Sequence, residues 1–156
     1  MNSLKKILLA EDNPKDVELT LEALAEQDLA DLVVVLNDGE EVLDYLYCRG
    51  KYAQRPPVHP VVVLLDLKMP KVNGLEVLRT LKTEPRLREI PVVALTSSRE
   101  PSDLAESYHL GVNAYVVKPV EFGSFIDALK QVCRFWAVLN EPPPGCVKKN
   151  GWRAGS

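Results

Sequence analysis

The sequence predicts one doubly wound α/β domain built on a parallel sheet, and three observations carry that prediction. Short apolar runs alternate five times with stretches of helical periodicity. The run Val61–Leu65 is apolar at every position, as a central strand buried on both faces requires. Finally, 156 residues at 46% hydrophobic content suffice to bury one ordinary core.

The elements follow in order. Ile7-Leu8-Leu9-Ala10 is a first strand that ends abruptly at Glu11-Asp12. Asn13-Pro14 starts a helix, with proline in the first turn and Asp16 and Glu18 near the positive end of the dipole. Val17, Leu21, Leu24 and Asp28 fall at i, i+4, i+7 and i+11, which predicts the buried face of that helix. Leu32–Leu36 is a second strand closed by Asn37-Asp38-Gly39, and Val42, Leu43, Leu46 and Tyr47 mark a second helix. The segment Arg49–Pro60, with Gly50, Pro56, Pro57 and Pro60, reads as a loop before the third strand, Val61–Leu65. A third helix spans Gly74–Lys82, a fourth strand Val92–Leu95, and a fourth helix Ser102–Leu110 stopped by Gly111. Ala114–Val117 is the fifth strand and Glu121–Leu139 a long last helix. Five βα units with right-handed crossovers give five helices covering both sheet faces, in the flavodoxin-like strand order 2-1-3-4-5. The domain takes residues 1–140, and the Pro- and Gly-rich 141–156 reads as a tail.

Composition narrows the function. The 22 acidic and 19 basic residues leave a net charge of −3, and the basic ones are scattered, which predicts no nucleic-acid or anionic-membrane partner. Cys48, Cys133 and Cys146 are far apart and odd in number, so disulfides and zinc are not expected and a reducing cytoplasm is. Cys146 is expected to be the most exposed of them. Lys5 and Lys6 precede an apolar run too short for a signal peptide or a membrane span. His59 and His109 stand alone and read as loop or surface residues.

Ligands of an open α/β sheet sit at the carboxyl ends of its strands. There the first strand presents Glu11-Asp12, the third Asp66, the fourth Thr96-Ser97 and the fifth Lys118-Pro119. With strands 1 and 3 adjacent, three carboxylates converge. Two carboxylates ~4 Å apart repel by about 4 kcal/mol at an effective dielectric near 20, so such a cluster calls for a cation. All-oxygen ligands without His or Cys suit Mg²⁺, with Ca²⁺ or Mn²⁺ as substitutes. Lys118 and Thr96 opposite the cluster make a pocket for a phosphoryl group, and Asp66 becomes the nucleophile that carries it.

These residues resemble the receiver domain of two-component response regulators (CheY-like), from about Lys5 to Leu139. The motifs are ILLAEDNP at 7–14, LLDLKMPKVNG at 64–74, ALTSS at 94–98 and GVNAYVVKPV at 111–120. The resemblance implies that Asp66 accepts a phosphoryl group from a sensor histidine kinase. It also implies that Glu11, Asp12, Asp66 and the Lys68 backbone carbonyl bind Mg²⁺, and that Thr96 and Tyr115 form the switch. Lys118 pairs with the phosphoryl, and the Lys118–Pro119 bond is expected to be cis. Lys68 and Ser98 occupy positions that in receivers flank the attacking water and tune phosphoryl lifetime. Asn73 stands where many relatives carry an acidic residue. The Arg49–Pro60 loop and the FWAVLNEPPP ending resemble stand-alone regulators of phytochrome-type kinases, without an output domain.

In the last helix Phe122, Phe125, Ile126, Leu129, Cys133 and Trp136 form a stripe for the core. Ala128, Val132, Phe135 and Leu139 form a second stripe, expected to make a homodimer through the last helix and strand. The chain is thus read as a phosphoacceptor that assists its own phosphorylation and dephosphorylation, not as an enzyme acting on other substrates. An aspartyl-phosphate phosphatase would place a second Asp where Lys68 stands. A flavodoxin-type FMN binder would not place Glu11-Asp12 at its phosphate loop. A phosphorylation-independent pseudo-receiver would not keep every site residue.

Overall fold

In the computed structural model, residues 5–146 are described. The sheet has five parallel strands, β1 (Ile7–Ala10), β2 (Val33–Leu36), β3 (Val62–Leu65), β4 (Val92–Thr96) and β5 (Ala114–Val117), in the order β2-β1-β3-β4-β5. Register aligns the strand ends: Ala10 pairs with Leu36 and Leu65, Leu65 with Ala94, and Thr96 with Val117. The polar residues that follow these positions therefore share one rim of the sheet.

Five helices alternate with the strands: α1 (Pro14–Ala25), α2 (Gly39–Leu46), α3 (Gly74–Thr83), α4 (Pro101–Leu110) and α5 (Phe122–Arg134). Their starts are fixed by side chains that satisfy free amides at the first turn. Asn13 Oδ1 accepts from the Lys15 and Asp16 amides at 2.9 and 3.3 Å, and Asp38, Asn73 and Glu121 cap α2, α3 and α5 in the same way. Gly111 closes α4 at φ 105°, a left-handed conformation that a side chain would strain.

The strands alternate their side chains between two cores. On one face Leu8, Val63, Leu65 and Val92 meet Val42, Val77, Leu78 and Leu81 of α2 and α3. On the other Ile7, Leu9, Leu64 and Val93 meet Leu24 and Cys133, while Leu19, Ala23, Phe125 and Leu129 join α1 to α5.

Four details depart from the sequence reading. In α1 the buried set is Leu19, Thr20, Ala23 and Leu24, with Val17 and Leu21 only half-buried, because the helix packs on α5 as well as on the sheet. Phe122, assigned to the core stripe, is 57% exposed, and the Lys15 ammonium lies 5.2 Å from its ring centroid. Cys146, expected to be exposed, is buried against the β1/β3 core, and burial pushes its thiol up to about 12. The segment holding it is pinned by the His59 amide, which donates to the Gly145 carbonyl at 2.9 Å. Lastly, the Lys118–Pro119 bond is trans, the isomer an X–Pro bond prefers by roughly 0.5–1 kcal/mol.

After α5 the chain widens into a π-helical turn, Phe135–Leu139. The extra residue per turn leaves Phe135, Val138 and Leu139 exposed, whereas Ala128 and Val132 are half-buried. Cys133 and Ala137 still face the core. The tail residues 147–156 lie outside the described residues. Among the described residues no helix is long and apolar enough to cross a membrane.

Candidate functional site

β1 and β3 deliver the acidic group directly. The Glu11 amide donates to the Leu36 carbonyl and the Asp66 amide to the Ala10 carbonyl, each at 3.0 Å, so both residues are held as one-step extensions of their strands. Carboxylate oxygens of Glu11, Asp12 and Asp66 lie within 4.8 Å of one another. Glu11 and Asp66 are buried and Asp12 is exposed, so the cluster is open on one side. The Lys68 amide donates to Asp66 Oδ1 at 3.1 Å and brings that residue's backbone beside the cluster.

Lys118 reaches across from the end of β5. Its amide donates to the Thr96 carbonyl at 2.8 Å, and its ammonium donates to Glu11 Oε1 at 2.6 Å and Asp16 Oδ2 at 2.7 Å. Asp66 Oδ2 is 3.7 Å away. Burial pushes the Glu11 carboxyl up to about 7, with Lys118 pulling the other way and the Asp66 charge adding to the rise. Burial alone would lower the Lys118 ammonium, but its bonds to Asp16 and Glu11 and the Glu11 and Asp66 charges hold it above the usual lysine range. Buried negative charge in excess of the one ammonium, all of it on oxygen, fits a hard divalent cation.

Thr96 is fully buried at the end of β4, and its Oγ1 accepts from the Ser98 amide at 3.2 Å. Tyr115, half-buried on β5, donates its hydroxyl to the Ser98 carbonyl at 3.2 Å. The structure therefore brings Glu11, Asp12, Asp66, Lys68, Thr96, Tyr115 and Lys118 to one rim. The stripe Ala128, Val132, Phe135 and Leu139 lies elsewhere, along α5 and the turn after it.

Two participants were not foreseen. The sequence marks Asp16 only as an acidic residue favouring a helix start, yet it shares Lys118 with Glu11. Its position four residues after Asp12, one turn into α1, is the available signal. Asp103, in the first turn of α4, accepts from Ser98 Oγ at 2.5 Å and lies 3.8 Å from the Lys68 ammonium. Nothing in the local sequence pairs it with either.

The fold and site together define a doubly wound α/β domain with an acidic triad and a lysine at its carboxyl rim, and similarity to known proteins supplies the family. Residues 7–130 match the response regulator receiver domain, and the chain belongs to that family. The chain is 36% identical to the response regulator Rcp1 of Synechocystis sp. over 135 residues, 86% of this chain and 90% of that protein. The structure of Rcp1 in its Mn²⁺-bound form superposes with a TM-score of 0.83 at 35% identity, covering 89% of this chain and 99% of that one. The phosphorylated cyanobacterial phytochrome response regulator RcpA gives a TM-score of 0.83 at 40% identity, over 89% and 98% of the two chains. The bacteriophytochrome response regulator AtBRR is 61% identical, with a TM-score of 0.69 over 88% and 98%.

Proposed function

We propose that this receiver domain accepts a phosphoryl group on Asp66 from a phytochrome-type sensor histidine kinase and passes the signal on through Thr96 and Tyr115. The observation that carries the reading is the convergence of the Glu11, Asp12 and Asp66 carboxylates within 4.8 Å beside the Lys118 ammonium. That RcpA was crystallised phosphorylated and is described as a phytochrome response regulator supports it.

The Asp66 carboxylate oxygen attacks phosphorus of the donor, the bond from phosphorus to the donor's leaving atom breaks, and its electron pair departs with the donor. Lys118 is placed to neutralise one phosphoryl oxygen, and Thr96 to donate its hydroxyl to another once it leaves the Ser98 amide. Glu11, Asp12, Asp66 and the Lys68 carbonyl are the residues that would hold Mg²⁺, with Ca²⁺ or Mn²⁺ as substitutes. The ion would supply charge neutralisation between the acidic cluster and the incoming phosphoryl. Tyr115 bonds to the same Ser98 whose amide engages Thr96, so movement of Thr96 is felt by the ring. The domain acts on its own phosphoryl group alone, and its workplace is the cytoplasm.

The test is incubation with acetyl phosphate, with and without Mg²⁺, followed by intact mass. The parent is expected to gain one phosphoryl group only with Mg²⁺, and Asp66→Asn to gain none. No adduct on the parent, or an equal adduct on Asp66→Asn, sinks the reading.

The regulator is further proposed to be a homodimer through α5 and β5. Phe135 and Leu139 are 46% and 63% exposed, and Val138 joins them at 48%, an apolar patch at the end of the helix. Phe135→Asp is expected to turn a dimer into a monomer in sedimentation at tens of micromolar. A parent that is already monomeric there rules the dimer out.

A further inference from the structure

We propose that Asp103, in the first turn of α4, is a positioning residue that restrains Lys68 and so shortens the life of a phosphoryl group on Asp66. The inference rests on the phosphoacceptor reading of Asp66 given above. One oxygen of Asp103 joins two loops of the site: Oδ2 accepts from Ser98 Oγ at 2.5 Å and lies 3.8 Å from Lys68 Nζ. The loop after β3 and the loop after β4 thus share a single anion.

The two partners differ in freedom. Ser98 is buried and fully engaged. Its amide donates to Thr96 Oγ1, its carbonyl accepts from Tyr115, and its hydroxyl accepts from the Glu100 amide while donating to Asp103. This set of bonds fixes where the Asp103 carboxylate sits. Lys68 is free at its tip: its side chain is 68% exposed, and Asp103 is its one ion-pair partner among the described residues. Its backbone is tied to the phosphoacceptor itself, through the amide that donates to Asp66 Oδ1. A flexible stem anchored next to Asp66 can therefore carry its charge either to Asp103 or over Asp66.

Phosphorylation sets those two anions in competition. A phosphoryl group brings more negative charge than one carboxylate and three acceptor oxygens. Its loss by hydrolysis requires a water oxygen to attack phosphorus. The bond from phosphorus to the Asp66 oxygen breaks with its electron pair returning to the carboxylate, the water proton passes to solvent, and inorganic phosphate leaves. Lys68 and Asp103 both line a cleft of about 330 Å³ beside the site, between the loop after β3 and α4, together with Leu67, Met69, Asn73 and Leu75. An ammonium drawn out of that cleft and over the phosphoryl would shield phosphorus from water on the Lys68 side. Asp103 holds the ammonium in the cleft, 3.8 Å from its own Oδ2, and so leaves that side of the phosphoryl uncovered.

Asp103→Asn keeps the shape and the acceptor for Ser98 but removes the charge that restrains Lys68. After loading with acetyl phosphate and Mg²⁺ and rapid desalting, decay of the phosphoryl adduct is followed by intact mass. Asp103→Asn is expected to lengthen the half-life about fivefold, the scale of one partly exposed ion pair. In a Lys68→Met background the same substitution is expected to change nothing, and at 1 M salt the gain should shrink. A purely structural Asp103 would act alike in both backgrounds. Equal change in both, or no change in either, overturns the proposal while leaving Asp66 as phosphoacceptor. Absence of any adduct on the parent overturns the phosphoacceptor reading and this inference with it.

Discussion

Lys118→Met is expected to lower phosphoryl loading from acetyl phosphate by about a hundredfold, the usual consequence of removing one preorganised charge partner from a developing phosphoryl. The same substitution is expected to destabilise the protein in metal-free buffer. The ammonium is the shared partner of Glu11 and Asp16 at 2.6 and 2.7 Å and faces Asp66 at 3.7 Å. Deleting one side of a buried ion pair costs on the order of 3 kcal/mol when the remaining charge stays ionised. Glu11 decides when it does. Burial has already pushed its carboxyl up to about 7 from the ordinary 4.5, and Lys118 opposes that rise. A carboxyl whose folded value lies above its unfolded one binds the extra proton in the folded state, so stability is lost as pH rises from about 4.5 through the folded value. Without Lys118 the folded value moves higher and the loss extends to higher pH. Thermal melts should show the variant close to the parent at pH 5 and well below it at pH 8. A pH-independent gap would mean that Glu11 does not take up the charge imbalance.

Gly74→Ala is the second large effect, and it joins stability to the site. A Cβ on Gly74 would lie 2.4 Å from the Asp66 carbonyl oxygen and 2.5 Å from the Leu67 Cα, both backbone atoms that cannot swing aside. The loop they belong to is already constrained. The Gly74 amide donates to the Leu67 carbonyl at 3.0 Å, and Lys71 in between adopts a left-handed φ of 66°. Relief requires α3 to move off the sheet or Asp66 to move off its strand end. The expected cost is roughly 3 kcal/mol, at the upper end for overpacking, or a melting temperature lower by roughly 10 °C. Loading of Asp66 should fall more than about tenfold, since displacement of a reacting group by about 1 Å costs up to two orders of magnitude. Gly123→Ala is the control. Its Cβ meets the Glu121 carboxylate oxygen at 3.2 Å, the movable end of a side chain, and both readouts should stay near the parent. An unchanged melt and unchanged loading for Gly74→Ala would refute the argument.

The strand order and the acidic rim were legible because they rest on short-range signals. Val61–Leu65 needs only its own composition to read as a central strand, and Glu11, Asp66 and Lys118 each follow an apolar run directly, with Asp12 one residue further on. Register then does the rest, since parallel strands that end together present their next residues together. What escaped was set at long range. Asp16 meets Lys118 across 102 positions of sequence, and Asp103 meets Lys68 across two loops. Spacing alone puts Phe122 in the core stripe, but as the first residue of α5 it stands exposed beside the Lys15 ammonium. Cys146 lies beyond the last helix, where periodicity carries no information, and its burial depends on the fit of the Gly145 carbonyl to the His59 amide.

That last fit has a geometric meaning. His59 precedes β3, so the chain reaches Cys146 at the amino pole of the sheet, whereas Asp66 stands at the carboxyl pole. A strand the length of β4 separates the poles by about 13 Å. The proposed phosphoacceptor and the turn that holds Cys146 are thus separated by the full depth of the sheet. If Asp66 is phosphorylated as proposed, its effect on the Cys146 turn is one of shifted packing, because the added charge stays at the opposite pole.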